Sequence, residues 1–413
     1  GGLGVEQKFP PDNTLLFLLN YYEHSKDKKI KDMVEKTLDM ISMKGLNDHL
    51  QGGFFRYCTD PAWTIPHFEK MLYDQAMHLW VYSLAYKILK KQEYKTITEK
   101  IIKCLEESFE DNGLFYSSHD ADTEKGEGKA YLWKIEEIKN ILNEEEYKIF
   151  SEVYELDNNL EDKLHLIKKN MIFIEKIEGK LLEFRKKLTQ PFVDKKIITS
   201  WNCILGIAFI INYRFTNNIK PKDKALNIFK KIVDNHYKHG RLSHSSINLL
   251  LQEGEFLEDY AALLLFTTYI YEETNNNLDF MKELADKIQK FRNNNWIESD
   301  NADFMKIPAQ DYDHPYPSSI SLAEMALLKY KILLGEVYPT GNYKQSVNHD
   351  FYNLSVFIKN GKAHLIYTTS LIGWDKLPAN SIQVISNKTQ YCYNKACKEF
   401  KTHEELLNEL KYS

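Results

Sequence analysis

His67, Glu69, Lys70, Tyr73 and Asp74 crowd one short run of this chain, with Arg56 just upstream. A histidine beside carboxylates is a general acid/base set, because burial and neighbouring charges move both kinds of pKa toward neutrality. The same residues could instead form a buried hydrogen-bonded network that joins two helices. Residue types alone leave both open. On a helix starting near Pro66, at about 100° per residue, these five side chains fall in one arc. Phe68, Met71, Leu72 and Leu79 fill the opposite side, and two turns on the polar arc itself becomes apolar through Met77, Trp80, Val81 and Leu84. A solvent-facing stripe would stay polar along its length. The pattern is that of a buried helix with ionisable groups at its N-terminal end, as at the mouth of a pocket.

Two further runs have the same character. Asp194 to Asn202 is polar and aromatic and precedes the apolar Cys203 to Ile211; Glu258-Asp259-Tyr260 precedes Ala261 to Phe266. Trp201 and Tyr260 could stack on a sugar ring while Asp194, Asn202, Glu258 and Asp259 bond its hydroxyls. Carboxylates at helix starts are also favourable with the helix dipole alone. Asp120, Asp122, Glu124 and Glu127 offer oxygen ligands in one loop, but Lys125 and Tyr131 stand where a calcium loop needs glycine and glutamate, so no metal is expected. Cys392 and Cys397 have the spacing of half a zinc site without a second pair, and are expected to be free thiols. No phosphate-binding glycine loop or nucleophile elbow is present, and no cofactor is expected.

The elements that would position these residues alternate along the chain. Apolar helices with polar starts begin near Pro66, Asp194, Phe256 and Tyr316, and amphipathic helices return between them, as at Lys222 to Tyr237 and Leu278 to Phe291. Repeated helical hairpins of this kind close into an α/α toroid, with the polar helix ends at one rim. The expected class is all-α. The toroid would span 1–335, and 336–413 would pack on it as a small mixed segment with strands at Ala363 to Tyr367, Ser381 to Ile385 and Gln390 to Tyr393.

A chain of 413 residues with 43% hydrophobic content can bury a large core. Its net charge of −5, with lysine runs interrupted by Asp and Glu, argues against a nucleic-acid partner. No apolar run approaches the roughly 18 residues of a membrane span. Five scattered cysteines favour a reducing compartment, hence a cytoplasmic location, although a chain that opens on Gly1-Gly2 leaves targeting open.

The stretches GGLGVEQKFP, GGFFRYCTDPAWTIPHFEKMLYDQA, DADTEKGEGKAYLW, PFVDKKIITSWN, LEDYA and YPSSIS, in that order, resemble the spermatogenesis-associated protein 20 family, and the ending TQYCYNKACKEF is similar to that family's C-terminal cysteine segment. The resemblance implies a six-hairpin α/α toroid of the kind seen in glycosidases and N-acylglucosamine 2-epimerases. It also implies a thioredoxin-like domain, expected to lie outside this chain and to act as its partner. Ser319-Ile320 replaces the family's Gly-Asn, and Cys203 follows Asn202 in place of Gly. The expectation is a carbohydrate-active or carbohydrate-binding barrel with a small-molecule, saccharide-type ligand. His67, Glu69 and Asp74 would be its acid/base groups; Arg56, Lys70, Tyr73, Asp194, Trp201, Asn202, Glu258, Asp259 and Tyr260 would hold the ligand. The alternative is a non-catalytic module that binds a ligand or polypeptide for the thioredoxin-like domain.

Overall fold

The computed structural model describes the chain except residues 3, 125, 158, 161, 162, 253, 300–306, 337–348 and 413. Fourteen α-helices are found among the described residues: α1 (Asp12–Ser25), α2 (Lys28–Met43), α3 (Leu72–Leu89), α4 (Gln92–Ser108), α5 (Ile135–Ile141), α6 (Glu144–Val153), α7 (Glu175–Arg185), α8 (Thr199–Thr216), α9 (Ile219–His236), α10 (Leu257–Thr274), α11 (Leu278–Gln289), α12 (Ser319–Leu333), α13 (Asp350–Lys359) and α14 (His403–Tyr412). Six of them close a ring, each packing on the next: α1, α3, α8, α10, α12, α13 and back to α1. Outside the ring, α2 packs on α1, α4 on α3, α9 on α8 and α11 on α10. The architecture is an α/α toroid.

The ring helices are apolar all round because every face meets another helix. Along α8, Cys203 to Ile211 is buried without interruption, as is Leu257 with Asp259 to Thr268 along α10. Gly206 lets these two helices approach, since a Cβ there would lie 2.2 Å from the Phe266 ring. Both helices end in an asparagine in the left-handed region, Asn217 (φ 57°) and Asn275 (φ 54°), which closes each helix and turns the chain outward.

The N-terminal ends of the ring helices meet at one rim. Tyr73 of α3 packs on Trp201 of α8 with ring centroids 4.8 Å apart, and Ser200 of α8 bonds Glu258 of α10. Asp313, in the loop before α12, accepts hydrogen bonds from the backbone of Ser318 at the start of α12 and of Phe351 in α13, and its carbonyl takes the amide of Asn13 in α1. The ring thus includes α13, from beyond residue 335. After α13 comes a four-stranded sheet, Ser381–Ile385, His364–Thr368, Thr389–Tyr393 and Ala396–Phe400 in spatial order, followed by α14.

Two expectations are corrected. The central helix begins at Leu72, not near Pro66. The Asp60 carboxylate accepts from the amides of Ala62, Thr64 and Ile65 and folds the chain back, so Pro66–His67 pairs as a strand with Tyr57–Cys58. Lys70–Met71 then pairs with Ser118–His119, which leaves only Tyr73 and Asp74 of the five residues on the helix. The second correction concerns Cys392 and Cys397, which form a disulfide. Asn394 and Lys395 take up a two-residue hairpin turn with positive φ, and the cysteines are the second cross-strand pair beyond it, after Tyr393 and Ala396, with Cα atoms 4.1 Å apart. Cys58, Cys104 and Cys203 are free and buried. No described helix is long and apolar enough to cross a membrane.

Candidate active site

A cavity of about 360 Å³ opens at the rim between α10 and α12. Glu258 of α10, His244 from the loop before that helix, and Glu298 from strand Asn295–Ser299 face it, with Phe256 and Tyr316 as aromatic walls. The Glu258 Oε1 atom accepts a hydrogen bond from the Ser200 hydroxyl at 2.5 Å and one from the Tyr316 hydroxyl at 3.3 Å. The backbone N–H of Glu258 donates to Glu298 Oε1 at 3.2 Å, and Ser319 also bonds the Glu298 side chain. Behind this wall Asp259 is fully buried. Its Oδ1 takes the Ser200 N–H at 3.1 Å and its Oδ2 lies 2.9 Å from Nδ1 of His244.

The electrostatics follow from three carboxyl groups sharing one imidazole. Burial, reinforced by the charge of Asp259, pushes Glu258 up to about 7, which the hydrogen bond from Ser200 and the His244 charge only partly offset. Burial also raises Asp259 and Glu298. The hydrogen bond to Asp259 raises His244, favouring its imidazolium. Near neutral pH Glu258 therefore stands between its acid and carboxylate forms, beside an imidazolium oriented by the buried Asp259.

The other residues singled out by the sequence fall into three groups. Tyr73 and Trp201 stand at the rim's centre with Tyr316, whose ring is 5.0 Å from that of Tyr73. Arg56 holds this cluster: its Nε donates to the Tyr73 hydroxyl at 3.1 Å and its Nη1 to Glu69 at 3.0 Å. His67 continues the chain outward, with Nε2 3.4 Å from Glu69 and Nδ1 2.7 Å from Glu127 of the acidic loop. It is 25% exposed where Glu127 is 50% exposed, and it does not line the cleft.

A second group is buried away from the cleft. Lys70 is 1% exposed and donates to Asp48 at 2.7 Å, where Arg185 makes a two-pronged pair with the same carboxylate. Asn202 uses its amide to pair with the backbone of Phe115, and Tyr260 bonds Glu255 and the Leu242 N–H next to Phe291. Asp74 sits with Asp12 and His78 beneath the rim; burial and then the Asp12 charge hold Asp74 well above the usual carboxylate range, and burial drives His78 down to about 3. Third, Asp194 bonds Lys196 at the surface and does not line the cleft. His244, Glu298 and Tyr316 were not singled out by sequence. Tyr316 alone carried a signal, as the first residue of the fourth polar helix start. Among the described residues no group of three or more His, Cys, Asp or Glu side chains is arranged to hold a metal ion.

A closed ring of apolar helices with a polar cleft at their N-terminal rim defines an α/α toroid of the type found in sugar isomerases and epimerases. The chain is similar in structure to a cellobiose 2-epimerase from Spirochaeta thermophila, with 10% identity, 86% of each chain covered and a TM-score of 0.56. It is similar also to a D-mannose isomerase, at 12% identity and a TM-score of 0.54 over 86% of this chain and 75% of that one. In sequence, the chain is similar to spermatogenesis-associated protein 20: it is 27% identical to the human protein over 275 residues, covering 55% of this chain and 34% of that one. An uncharacterised Caenorhabditis elegans protein, B0495.5, is 27% identical over 402 residues, covering 82% of this chain and 55% of that one. No protein-family model matches the chain. It spans about half the length, or less, of these curated relatives.

Proposed function

We propose that the rim cleft binds a saccharide and carries out proton transfer on it, with Glu258 as the group that exchanges the proton and the cationic His244, held by Asp259, as the group that orients and polarises the ligand. The observation that supports this most is Glu258, a carboxyl raised to about 7 inside a 360 Å³ cavity, which puts its proton near the operating pH. Tyr316 and Phe256 offer faces for a sugar ring. The toroid shared with a sugar isomerase and a sugar epimerase agrees with that chemistry, although the likeness extends to fold alone. In this reading Arg56, Glu69 and His67 are positioning residues that fix Tyr73 and through it Tyr316, while Asp74 stays behind the rim.

A non-catalytic binding module is the competing reading. It is favoured by one feature: Glu258 and Asp259 are both already engaged by protein donors. Incubation with mono- and disaccharides in deuterated water, followed by proton NMR, separates the two. Deuterium incorporation or product formation by the wild type, lost in Glu258→Gln while ligand-induced thermal stabilisation persists, supports catalysis. Stabilisation by a sugar with no exchange or turnover supports a binding module for saccharides, and no response to any sugar rejects the saccharide reading of the cleft.

A further inference from the structure

A cavity of about 510 Å³ lies away from the cleft, between the C-terminal end of α9 and the hairpin Ser245–Leu251. Three ammonium groups face it, those of Lys195, Lys231 and Lys238, against one carboxylate, Asp111. None of the three is within ion-pairing distance of a carboxylate among the described residues; Lys238 donates to the Asp234 carbonyl and Lys195 lies over the Tyr116 ring at 5.9 Å. For a chain of net charge −5, a cationic hollow of this kind runs against the overall field.

The rest of the wall mixes polar Asn112, Asn235, His236, Ser246 and Asn248 with apolar side chains. Leu114 and Ile197 are buried at its base, and Leu249 and Leu251 stand at its mouth. Leu249 is 81% exposed and occupies the second place of a two-residue turn, at φ 65° beside Asn248 at φ 50°. That place favours glycine, because a side chain in the left-handed region crowds the backbone. An aliphatic side chain in a strained and water-exposed position is disfavoured twice by folding, and a ligand that covered it would offset the second of these costs.

We propose that this cavity is a binding site for an anionic amphiphile: a phosphate or carboxylate head held by the three lysines, with an alkyl chain lying on Leu249 and Leu251. The pairing of unneutralised cations with an apolar lip matches both halves of such a molecule and neither half alone.

Titration calorimetry on the full 413-residue chain tests it, with decyl phosphate below its micellar concentration as the probe and inorganic phosphate and decanol as its separated halves. Wild type should bind decyl phosphate at least about tenfold more tightly than either half, and K195Q/K231Q/K238Q should weaken that binding by about tenfold or more. Leu249→Gly should weaken it several-fold while melting at the same temperature or higher, since glycine relieves the turn. Unaltered binding in the lysine variant, or inorganic phosphate binding as tightly as decyl phosphate, would overturn the proposal. So would binding to phosphatidylserine vesicles with none to monomeric decyl phosphate, which would move the contact to a membrane surface.

Discussion

The two ends of the toroid both bury charge, and they treat it in opposite ways. At the end away from the rim, Arg214 bonds Glu273 at 2.8 Å, Lys222 reaches the same carboxylate at 2.9 Å, and Lys329 bonds Glu272 at 2.6 Å. Aromatic faces complete the shell: the Arg214 guanidinium lies 3.7 Å from the Trp374 ring centroid and the Lys329 ammonium 3.2 Å from that of Tyr269. Against the burial that would raise it, Arg214 and Lys222 hold Glu273 below its ordinary value. The cavity left there is only about 80 Å³. At the rim, Glu258, Asp259 and Glu298 face one imidazole, all three carboxyls are raised, and the cavity is more than four times larger. Matched charges in a filled space hold helices together; unmatched ones beside an empty space are kept at a cost in stability, which is the usual mark of a functional site.

The largest expected effect breaks the matched end. Arg214→Ala leaves Glu272 and Glu273 buried with less compensation and should destabilise the chain by about 3–5 kcal/mol, read from urea unfolding. A loss under about 1 kcal/mol would mean that the cluster is not acting as a paired unit.

At the rim the sign reverses with pH. The folded-state pKa of Glu258 is raised from 4.5 to about 7, so its contribution is fully present below the unfolded value and is lost as pH rises through 7. Glu258→Gln escapes that loss. It should match wild type near pH 4 and exceed it at pH 8 by about 2 kcal/mol, the full shift being discounted for the face turned to the cleft. Melting curves across pH check this, and an equal offset at both pH values would contradict it.

Reducing the Cys392–Cys397 bond opens a short loop and should cost about 2 kcal/mol by loop-closure entropy, detectable as a lower melting temperature in reductant that the double Cys→Ser variant no longer shows. The smallest effect is expected from His67→Ala. Its pairing with Glu127 is partly exposed, so the stability change should stay within about 1 kcal/mol.

Much of this division was legible in the sequence. Helices that lose their polar face after one turn betray burial on all sides, and their polar starts place the rim. The beginning of the central helix was hidden because a periodicity argument cannot see the turn organised by Asp60, nor the pull of buried Asp48 on Lys70. Glu258 and Asp259 were visible as a polar helix start, whereas His244 and Glu298 lie on a loop and a short strand with no periodicity to mark them. The place of α13 in the ring depends on contacts with α1, more than 300 residues earlier in the chain, which no local pattern encodes.

The most direct test of the unmatched rim is a carboxyl carbon-13 NMR titration of protein labelled at glutamate. One resonance, absent from Glu258→Gln, should titrate with a midpoint near 7. If the resonance lost in that variant instead titrates close to 4.5, the ordinary value for glutamate, the cleft holds no poised acid and the acid–base account of the rim fails.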